Sequence, residues 1–161
     1  MRSNLFWIDT NTSGRLATMA RPRGGDWLED ELRLLQRKGI QIVVSLLTSD
    51  EVNELDLGQE RAACAALGLR FISFPIPDRG VPTHDAEAAA LIAKLARDVQ
   101  SSLAVAIHCR MGIGRASMVA AGVLRALGVA GDAALARIAE ARGLAVPDTE
   151  AQRQWVLRLG G

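Results

Sequence analysis

Apolar residues along this chain fall into two alternating kinds of block, short unbroken runs and longer stretches with a repeat of three to four. Leu5 to Ile8 and Arg15 to Ala20 flank the turn cluster Asn11-Thr12-Ser13-Gly14, which predicts an edge hairpin. Arg21-Pro22-Arg23-Gly24-Gly25 then breaks the pattern. Beyond it Leu28, Leu32 and Leu35 recur at helical spacing, predicting a helix over 27–38 with Asp26 as its N-cap and Gly39 as its stop. Residues 40–47 are a continuous apolar run of strand length, the pattern of a parallel strand covered on both faces and therefore central. A polar loop over 48–56, a helix over 57–67 and a strand over 69–74 complete the first half.

The second half opens on Phe74-Pro75-Ile76-Pro77-Asp78-Arg79-Gly80-Val81-Pro82, a loop fixed by its prolines and glycine. A helix is expected over 83–100, capped by Thr83, with Ala90, Leu91, Lys94, Leu95 and Val99 spaced along it. His84, in its first turn, reads as a capping or solvent-facing residue. Leu103 to Ile107 is a run rich in β-formers, and Arg115 to Gly128 is Ala- and Leu-rich with a helical core face of Met118, Val119, Gly122, Val123 and Leu127. Two further helices are expected near 132–141 and 149–159. Alternation of helix and strand predicts an α/β sheet with helices on both faces. With 161 residues, a single domain spanning 1–161 is expected, large enough to bury its core without disulfides or metals.

Charge narrows the partners. Nineteen Lys and Arg stand against 18 acidic residues, a net charge of +1, so nothing favours nucleic acid or a membrane surface, and any attraction for anions is local. The N-terminal stretch from Arg2 through Leu5-Phe6-Trp7-Ile8 is too short an apolar run for a signal peptide or a membrane span, and a cytoplasmic protein is expected. The two cysteines, Cys64 and Cys109, suggest neither a disulfide framework nor a zinc site. Cys64, on an Ala-rich helix, reads as a small core residue.

The chemistry concentrates in Val105-Ala106-Ile107-His108-Cys109-Arg110-Met111-Gly112-Ile113-Gly114-Arg115-Ala116-Ser117, a strand, a glycine loop and a helix start. Free N–H groups and the macrodipole make such a helix N-terminus an anion site. Gly112 and Gly114 supply left-handed or otherwise strained angles that let successive N–H groups converge on one oxyanion, and the Arg115 guanidinium grips two of its oxygens. A helix N-terminus and a neighbouring Arg lower a thiol pKa, so Cys109 is expected to be an ionised nucleophile. A structural cysteine at a strand end is the competing reading. Asp78, on a loop leaving a strand's carboxyl end, is the candidate proton donor for a departing alkoxide, with an ordinary turn Asp as the alternative.

His108-Cys109-x-x-Gly112-x-x-Arg115 resembles the signature loop of the cysteine-dependent protein tyrosine phosphatase superfamily, and the chain length resembles its compact dual-specificity branch. The resemblance implies a central, mostly parallel twisted sheet with helices on both faces. It also implies two-step phosphomonoester hydrolysis without metal or cofactor: Cys109 as nucleophile, Asp78 as general acid, and Arg110, Met111, Gly112, Ile113, Gly114 and Arg115 as the phosphate-binding loop. His108 is expected to hydrogen-bond within that loop and help set the thiol's ionisation. Residues 142–148 resemble the loop before the family's last helix, which makes Gln152, or failing it Gln154, the match for a water-orienting Gln; an exposed helical Gln is the alternative. Some relatives protect the nucleophile by a disulfide to a second Cys, which the position of Cys64 does not support. The family usually places Ser or Thr directly after the Arg, to donate to the sulfur when the phosphoenzyme breaks down; here Ala116 stands there, and Ser117, one residue further round the helix, is expected to point away.

The implied substrate is a phosphorylated protein or a small phosphomonoester, taken by a monomer. Phosphoinositides or inositol phosphates are the alternative, for which Arg21, Arg23, Arg79 and Arg110 offer charge. A rhodanese-like sulfurtransferase and a non-catalytic phosphate-binding module are the remaining rivals. Rhodanese loops usually hold one residue fewer than the five between Cys109 and Arg115, and have no counterpart to Asp78.

Overall fold

Strands β1 (Phe6–Ile8), β2 (Arg15–Ala20), β3 (Ile42–Ser45), β4 (Arg70–Ser73) and β5 (Ala104–Cys109) form one sheet in the order β1-β2-β5-β3-β4. Only β1 runs antiparallel, paired with β2 as the expected edge hairpin. The computed structural model describes residues 4–159, so Arg2 lies outside it. Helices α1 (Leu28–Arg37), α2 (Ser49–Glu54), α3 (Glu60–Ala66), α4 (Asp85–Gln100), α5 (Arg115–Ala126), α6 (Gly131–Arg142) and α7 (Glu150–Arg158) cover the sheet.

Strand alternation sorts the core into two layers. From β5, Val105, Ile107 and Cys109 face one way and pack with α4, α5, α6 and α7. Ala104 and Ala106 face the other way, against the Leu28, Leu32 and Leu35 stripe of α1 and Cys64 of α3. Every residue of β3 is buried, as its unbroken apolar run requires, but the central strand is β5, inserted between β2 and β3. That insertion makes the carboxyl end of β5 the point where the winding reverses, the usual place for a binding crevice in an open α/β sheet.

Three expectations fail at helix starts. Asp26 lies in a single 3-10 turn (Gly25–Trp27) and caps nothing; Trp27 takes the N-cap position of α1, without a side-chain bond. Thr83 is not a cap either, because α4 begins at Asp85 and His84 stands at the N-cap position rather than in the first turn. The stretch read as a loop over 48–56 contains α2, closed by a capping box in which Thr48 accepts from the Glu51 N–H while the Glu51 carboxylate accepts from the Thr48 N–H. Six residues are too few to show apolar periodicity, so the Thr-x-x-Glu spacing was the signal available.

Candidate phosphate-binding site

Helix α5 is the post on which the site stands. Each residue from Arg115 to Leu124 is buried, so its first turn is fixed by packing on all sides. β5 ends at Cys109, the loop 110–114 follows, and Gly114 is the N-cap of α5 without any side-chain bond. Among the described residues, the N–H groups of Met111 to Arg115 have no hydrogen-bond acceptor. The next one, on Ala116, donates to Cys109 Sγ at 3.4 Å. A concave run of unsatisfied donors above a sulfur is an oxyanion cradle.

The two glycines act differently from each other. Gly112 sits at φ +72°, and a Cβ there would lie 2.6 Å from the Met19 carbonyl carbon and 2.8 Å from the Ala20 nitrogen, in rigid backbone at the end of β2. Gly114 is in the right-handed region (φ −84°), contrary to the expected strained angle; it is required for space, since a Cβ would lie 2.6 Å from Asp148 Oδ2 and 3.0 Å from Gln152 Oε1.

Arg115 is 1% exposed, and every fixed acceptor around it comes from another part of the chain. Its Nη1 donates to Glu51 Oε1 at 2.7 Å and to the Ile76 carbonyl at 2.9 Å; Nη2 donates to Glu51 Oε2 at 2.9 Å and to Asp78 Oδ1 at 3.1 Å. This fork-to-fork pair with Glu51 is the strong geometry for an Arg and a carboxylate. Donation from Arg115 lowers the Glu51 carboxyl from 4.5 to about 2, against burial, with the Thr48 N–H helping. Burial works against the charge on Arg115, but Glu51 and the neighbouring Cys109 and Asp78 outweigh it and hold the guanidinium above its ordinary value. Glu51 escaped the sequence reading because it sat in the presumed loop.

Asp78 lies on the β4–α4 loop, its side chain 59% exposed. The loop is pinned on either side of it. Ile76 N–H donates to the Leu46 carbonyl at 3.0 Å, and the Gly80 carbonyl accepts from Gln152 Nε2 at 3.0 Å. Gln152 is fully buried rather than exposed, and its Oε1 accepts from the N–H groups of Asp148 and Thr149. Its amide therefore joins α7 to the β4–α4 loop. Gln154 is exposed and bonded to Glu150.

His108 also differs from expectation. It is fully buried on the α3 side of the sheet, and its Nε2 lies 2.7 Å from Glu60 Oε2, so its partner is on a helix rather than in the loop. Among the described residues Nδ1 has no partner, and neither has Ser117 Oγ, which makes no bond to the sulfur. Cys64 packs in the layer opposite Cys109, and burial, then the Glu60 charge, pushes its thiol up to about 12, the condition of an inert core residue. The cleft over Cys109, about 250 Å³, is lined by Asp78, Arg79, Arg110, Met111, Arg115 and Asp148 among others. A larger groove of about 670 Å³ between α4 and α5 shares no residue with it and offers only Arg125 as a charged group.

Two outcomes test this geometry. Since the Glu51 carboxyl lies below 4.5 when folded, the unfolded chain takes up its proton first as pH falls; the stabilisation is complete above about 4.5 and is lost towards about 2. Denaturant titrations of Glu51→Gln between those pH values should show a stability slope shallower by up to one proton, and at pH 7 a loss of about 3 kcal/mol from the orphaned guanidinium. Gly112→Ala should lose both vanadate binding and stability, because neither φ nor the β2 backbone can yield; a vanadate affinity like the parent's would show that the loop tolerates a side chain there.

Residues 17–128 match the family described as "Polymorphic toxin system, DSP-PTPase phosphatase". No curated protein matches the sequence. Among solved structures, the kinase associated phosphatase KAP with its catalytic-site cysteine replaced by serine is similar over 97% of this chain and 93% of its own, at 20% identity and a TM-score of 0.86. Tk-PTP in its active form is 26% identical over 96% of this chain and 93% of its own, with a TM-score of 0.76. Human DUSP28 is 18% identical over 93% and 91%, with a TM-score of 0.63. The family match begins within β2 and ends just past α5, so it takes in the strand, loop and helix that carry Cys109 and Arg115, and it makes this chain a member of the dual-specificity protein tyrosine phosphatase family, whose hydrolysis of phosphomonoesters runs through a cysteine nucleophile.

Proposed function

We propose that Cys109 Sγ attacks the phosphorus of a phosphomonoester and forms a cysteinyl phosphate, while Asp78 gives its proton to the leaving oxygen. Water then attacks the phosphorus, Asp78 takes a proton from it, and phosphate leaves as the sulfur departs. The N–H groups of residues 110 to 115 and the Arg115 guanidinium carry the charge on the transferring group, where most catalysis of this reaction resides. The observation that carries the reading is the position of Arg115: its Nη2 is shared between the fixed Glu51 and the exposed Asp78, 3.1 Å away. A phosphoryl oxygen on the cradle competes with Asp78 for that donor, which frees the carboxyl beside the leaving group.

The substrate favoured is a phosphorylated protein side chain rather than an inositol polyphosphate. Of the four arginines that offer charge to a polyanion, Arg23 is paired with Glu31 at 2.6 Å and Arg110 with Glu54 at 2.8 Å, while Arg21 reaches back to the Pro22 carbonyl. Asp148 adds a carboxylate to the cleft wall. Only Arg79 lines the cleft without a partner among the described residues, one cation rather than a basic cluster. The reading takes a single catalytic domain over 1–161, acting as a monomer in the cytoplasm; Cys64 and Cys109 are both buried. A sulfurtransferase has no use for a carboxylate at Asp78.

Cys109→Ser should abolish hydrolysis of an aryl phosphate yet keep vanadate or phosphate binding, because the cradle is backbone and Arg115. Asp78→Asn should lose about 100-fold or more with alkyl phosphates and little with a good phenol leaving group; equal losses would move the general acid elsewhere. Comparing phosphopeptides with inositol polyphosphates at equal concentration tests the substrate class.

Ala116 generates a separate expectation. The backbone N–H that reaches Cys109 Sγ is present whatever residue stands at 116, so it does not replace a hydroxyl, and Ser117 Oγ supplies none. Loss of the thiolate from the phosphoenzyme is then slower than its formation. Rapid mixing with an aryl phosphate should release phenol in a burst near one equivalent, and Ala116→Ser should raise the steady rate at an almost unchanged burst rate.

A further inference from the structure

Three carbonyls on the outer side of the phosphate loop are tied down, two of them by one side chain. Arg142 Nε donates to the Gly112 carbonyl at 3.2 Å, and its Nη2 donates to the Met111 carbonyl at 3.3 Å. The third, on Arg110, accepts from the Arg21 N–H at 3.3 Å. A peptide unit is planar and trans, so the carbonyl of one residue and the N–H of the next point in opposite directions. Holding the Met111 carbonyl outward therefore aims the Gly112 N–H inward, and holding the Gly112 carbonyl outward aims the Ile113 N–H inward. Both are among the N–H groups without an acceptor.

Arg142 is well placed for this. It is the last residue of α6, and Gly143 beyond it turns the chain at φ +83°, so the side chain leaves from a fixed helix end. Its guanidinium lies 4.2 Å from the Phe6 ring centroid, a cation–π seat on the edge strand. Met111 itself stands out from the packing, 59% exposed, while Gly112 is seated against the end of β2, so Arg142 ties the exposed part of the loop to a fixed helix end. Arg142 also lies beyond the residues that the family match covers.

We propose that Arg142 is a positioning residue for phosphoryl transfer: it fixes the two peptide units whose N–H groups, on Gly112 and Ile113, bind the equatorial oxygens of the transferring group. This rests on the reading of the Cys109–Arg115 loop as the phosphate site. The effect is larger on the transition state than on bound phosphate, because oxygens spread in a plane around phosphorus demand fixed donor directions, whereas a tetrahedral anion accepts looser ones.

The test uses orthovanadate, which forms a five-coordinate mimic of the transition state, against inorganic phosphate, both as inhibitors of aryl phosphate hydrolysis. Arg142→Met keeps an unbranched side chain beside Phe6 and removes both donors together with the guanidinium on the ring. It should weaken vanadate inhibition about tenfold or more and phosphate inhibition less than about threefold, with kcat falling more than KM rises. Arg142→Lys, a single ammonium that cannot span two carbonyls, should fall between. A merely structural role would lower the melting temperature and leave the vanadate-to-phosphate ratio of the folded protein unchanged, and that result overturns the proposal. If Arg142→Met does not fold, the ratio is read on Phe6→Leu, which loosens the seat but leaves both donors; a ratio equal to the parent's there also overturns it. Failure of the parent protein to bind either anion would instead overturn the reading of the loop itself.

Discussion

The fork of Arg115 on Glu51 is the interaction around which this molecule is arranged. A guanidinium inside a protein needs an acceptor for every donor, and here the acceptors come from α2, the β3–α2 turn and the β4–α4 loop, three segments distant in sequence. Packing of α5 on all sides fixes where Arg115 begins. The capping box of α2 fixes Glu51, because the carboxylate that receives Arg115 also closes the helix start on Thr48. Local helix chemistry and the electrostatics of the cleft are thus the same few bonds.

Much of this arrangement is legible in the sequence. Cys109, the loop and Arg115 are contiguous, and each residue type has one dominant physical use at that spacing, so sequence order and spatial order coincide. The alternation of apolar runs gave the hairpin and the layers for the same reason, since strand and helix periods are local properties. Central placement was assigned to the wrong strand: β3 and β5 are both buried on two faces, and which one lies in the middle depends on pairing that no local pattern encodes.

What could not be read was partnership across the chain. Glu51 pairs with a residue 64 positions away, Glu60 with one 48 away, and Arg142 with carbonyls about 30 away. Carboxylates and arginines are ordinary surface residues in a sequence, and only tertiary structure distinguishes a buried partner from a solvated one. Gln152 shows the same difficulty in a different form. Its spacing marked it as a candidate, but its bonds join the last helix to Gly80, a connection between segments rather than within one. His108 is expected to bond within the loop, but strand alternation turns it to the layer opposite Cys109, where its partner is Glu60 on α3.

The two-sided fastening of the β4–α4 loop has a kinetic meaning. A loop held at Ile76 by Leu46, just past the end of β3, and at Gly80 by a buried glutamine has little room to swing. In the proposed reaction such a loop would already stand in its working position when substrate arrives, and capture would wait on diffusion rather than on a closing step. Discrimination between substrates falls on the shape of a standing cavity, as in a lock cut in advance, and a rigid inhibitor meets the same geometry as the transition state does.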